Sequence, residues 1–195
     1  MELVFASNNK HKLDEVKSAL GAGFKVVSLS DIHCYDDIPE DHDTLEENAV
    51  QKVRYIYQKY HKNCFSDDTG LEIEALDGRP GVYSARYAGE HCSFEDNMQK
   101  VLSEMDGISN RRACFRTVIA LILDGKEYLF EGQVDGIILQ EKQGQQGFGY
   151  DPIFQPIEST LSFAEMDLEE KNKISHRGRA IEKLVLFLSN TPIFM

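Results

Sequence analysis

Hydrophobic and polar positions along the chain fall into blocks that predict strands and helices in turn. Leu3-Val4-Phe5-Ala6 reads as a short buried strand. Leu13, Val16, Ala19 and Leu20 then recur at helical spacing, closed by Gly21 and Gly23. Phe24 to Leu29 is a second strand. Thr44 opens a long helix with Leu45, Ala49, Val53, Ile56, Tyr57 and Tyr60 on its apolar stripe, and Thr44 with Glu47 has capping-box spacing. Lys52 and Arg54 fall off that stripe, available to a ligand or to water. Cys64-Phe65 reads as a strand running into an acidic turn at Asp67–Gly70, and Leu71 to Leu76 leaves it. Phe94, Met98, Val101, Leu102 and Met105 space a further helix. Ala113 to Leu123 and Tyr128 to Leu139 flank Asp124-Gly125, a strong hairpin signal, and Gly132 and Gly136 predict bends or bulges. Ser175 caps a last helix carrying Ile181, Leu184, Val185 and Leu188. A βα half followed by a long hairpin predicts an α/β fold: a mixed sheet, with two lobes around a central substrate cleft. Residues 1–195 are expected to form a single domain.

The polar segments between these elements hold the candidate chemistry. Ser7-Asn8-Asn9-Lys10-His11-Lys12 joins a strand to a helix start, where free N–H groups and the helix dipole favour an anion, although the glycines of a Walker loop are missing. Asp67 and Asp68 are neighbouring carboxylates, a pair commonly neutralised by a hard divalent cation. Glu40 lies in an acidic loop without the capping duty that Glu47 has. Phe148, between Gly147 and Gly149, offers a flat face for stacking on a planar base, and Asp151 offers an acceptor for a base N–H. His176 and Arg177 sit on a helix first turn, where cations oppose the dipole. Taken singly, each segment also fits an ordinary acidic loop, capped helix start or glycine turn.

Composition narrows the choice. A formal net charge of −12 argues against a nucleic-acid polymer or an anionic membrane as partner, and it obliges any phosphate ligand to rely on local cations or a metal. The four cysteines form no CxxC pair, which disfavours structural zinc and fits a reducing, cytoplasmic setting. No signal pattern or membrane-length apolar run is present.

Five segments in order, Ser7-Asn8-Asn9-x-x-Lys12, Ser66-Asp67-Asp68-Thr69-Gly70-Leu71, Pro80 to Gly89, Gly147-Phe148-Gly149-Tyr150-Asp151-Pro152 and Ser175-His176-Arg177, closely resemble the inosine triphosphatase family over essentially the whole chain. These enzymes hydrolyse non-canonical purine nucleoside triphosphates, dITP/ITP and XTP/dXTP, to the monophosphate and pyrophosphate. The resemblance implies a homodimer and Mg²⁺ as cofactor. It implies that the turn Ser7 to Lys12, including Asn8, Lys10 and His11, holds the triphosphate. Asp68 would be general base and metal ligand, with Glu40 as a further metal carboxylate. Thr69 and Lys52 would contact substrate. Phe148, with Gly149 and Tyr150 beside it, would stack on the base, and Asp151, Lys171, His176 and Arg177 would read its edge. The segment Thr44 to Ala49 matches bacterial members except at Glu46, where an apolar residue is expected. Two other readings compete: a sensor that binds purine triphosphates without turnover, and a pyrophosphatase for pyrimidine or modified bases.

Overall fold

The computed structural model describes residues 1–20 and 23–191. Its strands are β1 (Glu2–Phe5), β2 (Lys25–Val27), β3 (Cys64–Ile73), β4 (Pro80–Gly81), β5 (Arg112–Leu123), β6 (Lys126–Ile138) and β7 (Phe154–Pro156). Its helices are α1 (Lys10–Leu20), α2 (Leu45–Tyr60), α3 (Phe94–Glu104), α4 (Leu168–Ile174) and α5 (His176–Asn190). The expected blocks appear, while β4, β7 and α4, each seven residues or fewer, had no legible period. The glycine expected at 21 to close α1 lies outside the described residues.

The strands form one mixed sheet in the order β2-β1-β3-β5-β6-β7, with β4 also on β3. The parallel pairs β2-β1 and β1-β3 make the βα half, and β3, β5 and β6 run antiparallel. Alternation along β1, β3 and β5 supplies two cores. Val4, Ala6, Cys64, Val118 and Ala120 pack under α2, whereas Leu3, Phe5, Phe65, Ile119 and Leu121 pack under α1 and α5. A third core gathers the far end of β3 with α3, Phe115, Phe154 and Phe163.

Two expectations need correction. Asp67–Gly70 is no turn: β3 continues through it, paired residue for residue with β5 from Cys64 to Ile73. What opens the cleft is the other edge of β3. There β1 pairs only with Cys64 and Phe65, and β4 pairs only with Leu71 and Glu72, so Ser66 to Gly70 face a gap between two neighbours. Gly70 allows β4 to come in close, since a Cβ there would lie 2.8 Å from the Gly81 carbonyl oxygen. Nor do Gly132 and Gly136 mark bulges, for β6 keeps its register with β5 throughout. Gly132 lets α5 rest on the sheet, because a Cβ would fall 2.1 Å from the His176 carbonyl oxygen. The Asp124-Gly125 hairpin turn is as expected, with φ of 49° and 78°.

Candidate active site

The gap in the β3 edge opens into a cleft of about 320 Å³, lined by residues of both halves of the fold. Because consecutive strand residues face opposite ways, the two aspartates diverge. Ser66 and Asp68 turn toward α2: Ser66 Oγ donates to the Ala49 carbonyl at 2.7 Å, and Lys52 Nζ lies 3.4 Å from Asp68 Oδ1. Asp67 and Thr69 turn toward α5: Arg177 Nε donates to Asp67 Oδ2 at 3.0 Å, and Arg177 Nη2 donates to Thr69 Oγ1 at 3.0 Å.

Asp67 is fully buried. Burial alone would raise its carboxyl pKa, but the charges of Lys12, Arg177 and Lys52 outweigh that and hold it far below the usual carboxylate range. Its Oδ1 receives no well-angled hydrogen bond among the described residues; the Lys12 ammonium 3.2 Å away supplies charge without that geometry. Asp68 lines the cleft. Burial raises its pKa, Lys52 and Lys12 oppose the rise, and the carboxylates of Glu40 and Asp67 add to it. Lys52 is not left to solvent. It reaches under the strand to donate to the Asp67 carbonyl at 2.8 Å and pairs with Glu40. Burial would lower the Lys52 pKa, but Asp68, Glu40 and Asp67 raise it above its ordinary value, so the ammonium stays charged.

Glu40 is presented by its loop, which Asn48 of α2 anchors: His42 N–H donates to Asn48 Oδ1 at 2.9 Å, and Asn48 Nδ2 donates back to the His42 carbonyl. Only half of the capping box expected at Thr44 and Glu47 forms: the Glu47 N–H donates to Thr44 Oγ1 at 3.2 Å, and the Glu47 carboxylate accepts from the Thr44 hydroxyl at 2.9 Å instead of from its N–H. Glu46 binds Arg116 at 2.6 Å, which accounts for a charge where an apolar residue was expected.

At the other end, Lys171 Nζ sits 2.6 Å from both Asp151 Oδ2 and Glu15 Oε1, and Glu15 also pairs with Arg177. All four groups are buried. Burial pushes the Glu15 carboxyl up, yet Arg177 and Lys171 more than offset it and leave its pKa lowered. Burial raises Asp151, whose Lys171 partner is shared with Glu15. Alternating charges therefore run without a break from Lys12 through Asp67, Arg177, Glu15 and Lys171 to Asp151. Reading by motif missed Glu15 and Asn48. The available signal for Glu15 was a carboxylate next to Val16 on the buried face of α1.

His176 is a second correction at the residue level. It is buried and stacked on Phe115 at 4.6 Å, its Nδ1 has no partner among the described residues, and burial, helped by Arg177 and Lys171, lowers its pKa well below the histidine range. It is neutral and does not oppose the α5 dipole. Ser175 caps that helix as expected, accepting from Gly178 N–H.

Ser7, Asn8, Asn9, Lys12, Glu40, Lys52, Asp68, Thr69, Phe148, Gly149, Tyr150, Asp151, Lys171, His176 and Arg177 all line the one cleft. Tyr150 is buried with its hydroxyl donating to the Ser84 carbonyl at 2.7 Å. Lys10 and His11 are exposed and outside the cleft wall. Phe148 has His11 stacked on it at 5.2 Å.

The model of the Ham1 family matches residues 3–187. The chain belongs to the Ham1 family. A Ham1 relative from Flavobacterium psychrophilum, named dITP/XTP pyrophosphatase, is 54% identical over 190 residues, covering 97% of this chain and 100% of its own. One of the same name from Porphyromonas gingivalis is 50% identical, covering 96% and 97%. Among solved Ham1 structures, the Staphylococcus aureus protein superposes with a TM-score of 0.87 at 40% identity, covering 97% of this chain and 98% of its own. The Coxiella burnetii protein gives 0.89 at 38%, covering 98% and 100%.

Among the described residues, no group of three His, Cys, Asp or Glu side chains is arranged to hold a metal alone. The donor set fits a hard cation shared with a ligand: Asp68 and Glu40 are oxygen donors on the cleft wall, and magnesium is ordinarily held by one or two carboxylates plus substrate phosphates and water.

Proposed function

We propose that this Ham1 chain hydrolyses non-canonical purine nucleoside triphosphates, dITP/ITP and XTP/dXTP, to the nucleoside monophosphate and pyrophosphate. The observation that carries this reading is a single cleft with cations and Asp68 at one end and an aromatic ring beside buried donors at the other. Asn9 and Lys12, at the start of α1, receive the triphosphate, helped by free backbone N–H groups. Asp68 accepts the proton of the water that attacks the α-phosphorus. Asp68 is placed for that task on the cleft wall, with the Lys52 ammonium 3.4 Å from its Oδ1. Lys12 and Lys52 balance charge as pyrophosphate leaves. Asp68 and Glu40 would hold magnesium, which would supply Lewis-acid stabilisation of the phosphates. Asp67 keeps Lys12 and Arg177 in place and takes no part in proton transfer.

Phe148 stacks on the base. Lys171 spends two of its three ammonium donors on Glu15 and Asp151, which leaves one for the ligand. Hypoxanthine and xanthine present an acceptor oxygen at position 6 to such a donor, and adenine presents a donor. Leaving a buried donor unpaired rejects the wrong base by ~10⁴ in favourable cases. A sensor without turnover has no use for Asp68 as a base, and a pyrimidine offers the Phe148 ring a smaller face to stack on. We further propose that the enzyme acts in the cytoplasm as a homodimer, a setting in keeping with its four free cysteines, and that neither a nucleic-acid polymer nor a membrane is its partner. Among the described residues no helix is long and apolar enough to cross a membrane.

The test is pyrophosphate release from dITP, ITP, XTP, ATP, GTP and dUTP with Mg²⁺. Turnover of dITP, ITP and XTP far above ATP is expected. Tight binding of dITP without turnover, or preference for dUTP, overturns the reading. Arg177→Lys should narrow the ratio of dITP to dATP turnover. Arg177→Ala is a poorer probe, because it would leave buried Asp67 with Lys12 and buried Glu15 with Lys171 as their remaining ion-pair partners.

A further inference from the structure

His11 belongs by position to the phosphate turn, yet its side chain takes no place there. The imidazole projects from the first turn of α1 onto Phe148, ring centres 5.2 Å apart and planes 14° from parallel. Phe94, the first residue of α3, completes the cluster at 6.2 Å from His11 and 6.0 Å from Phe148. Phe148 and Phe94 line the cleft and His11 does not. The cleft-lining cations Lys171 and Arg177 lie 5.0 and 5.7 Å from the Phe148 ring centre. His11 thus meets the ring from outside the cavity, while Lys171 and Arg177 stand over it from within.

The ring needs such backing. Gly147 and Gly149 have φ of 72° and 63° and no side chains to brace the turn. The Phe148 N–H is tied to Asp151 Oδ2 at 2.8 Å, which sets the backbone but not the direction of the ring. That direction is set by what packs on the ring: His11 and Phe94, with the two cations on the cleft side.

We infer that His11 is a positioning residue for base recognition: by stacking behind Phe148 it holds the aromatic platform on which the purine rests. The inference rests on the reading of Phe148 as the base platform. Its consequence is that α1 serves both ends of the substrate, with Asn9 and Lys12 toward the phosphates and His11 behind the base.

The test uses the full chain with Mg²⁺, the variants His11→Ala, His11→Phe and Phe148→Ala, and inorganic tripolyphosphate as a competitor that has no base. For His11→Ala, KM for dITP should rise about threefold to tenfold, the span one aromatic contact supplies, with kcat changed less. Inhibition by tripolyphosphate should stay at the wild-type level, and His11→Phe should restore KM. If tripolyphosphate inhibition weakens in step with KM, His11 is a phosphate residue and the inference fails. It also fails if His11→Ala has wild-type KM while Phe148→Ala does not, or if His11→Phe does not rescue. Unchanged KM in Phe148→Ala removes the base platform itself, and this inference with it.

Discussion

Asp67 and Asp68 are the same residue type in adjacent positions, and strand alternation gives them opposite surroundings. Asp67 is locked among Lys12 and Arg177 in the interior, and Asp68 looks into the cleft. Substitution should separate them. Asp68→Asn is expected to lower turnover by ~10² to 10⁴, the usual worth of a general base, while dITP still binds in a calorimeter. A near-wild-type rate would remove Asp68 from that role. Asp67→Asn should instead cost about 3–5 kcal/mol of stability, as breaking a buried ion pair does, measured by urea unfolding. His176 makes a prediction in pH. The folded chain keeps it neutral, so below an unfolded value of about 6.5 only the unfolded chain takes up its proton. Its contribution is complete above that pH and declines on acidification, by up to ~1.4 kcal/mol per pH unit. His176→Gln should flatten the difference in unfolding free energy between pH 7.5 and pH 5; identical slopes would show that the folded protein protonates the ring.

Among the elements, the contact of α5 with β6 decides where Arg177 stands. Gly132 allows it, since a Cβ there would meet the His176 carbonyl at 2.1 Å; Gly178 lets the same turn of α5 approach α4, where a Cβ would meet the Asn172 carbonyl at 1.8 Å. Gly132→Ala should therefore push α5 off the sheet, at ~1–3 kcal/mol for overpacking. At this chain length that is a fall in Tm of about 2–4 °C per kcal/mol. Activity toward dITP should fall with it, because His176 and Arg177 ride on the displaced turn. A thermal melt alongside the pyrophosphate assay checks both.

For the molecule as a whole, the cleft is a seam between the βα half and the lobe built on α3 and the ends of β3, β5 and β6. The line of ion pairs along it is charge-balanced, Lys12, Arg177 and Lys171 against Asp67, Glu15 and Asp151, so under the proposed function a protein of net charge −12 would meet a polyanion with local cations and a metal, not with its average field. Among the described residues, the carboxylates on the wall are not grouped so as to cage an ion by themselves. EDTA should accordingly abolish turnover, with added Mg²⁺ restoring it, while leaving the melting temperature of the nucleotide-free protein unchanged. A large drop in Tm on chelation would point to a structural metal instead.

The amino-acid pattern by itself determined the long elements, because a period of two or 3.6 residues sustained over ten or more positions reports which face is buried. Thus α2, α5 and the β5–β6 hairpin were legible, as were the caps at Thr44 and Ser175, whose bonds span only three residues. Short pieces such as β4, β7 and α4 carry too few periods to be told from loop. Motif order singled out the residues of the cleft, but their states were beyond its reach. That Asp67 is locked and Asp68 free-facing, that His176 is neutral, that Glu15 joins Lys171 to Arg177 across more than 150 residues of sequence, all follow from long-range packing. Charge state and orientation depend on neighbours brought from other strands and helices, and only the folded chain supplies those neighbours.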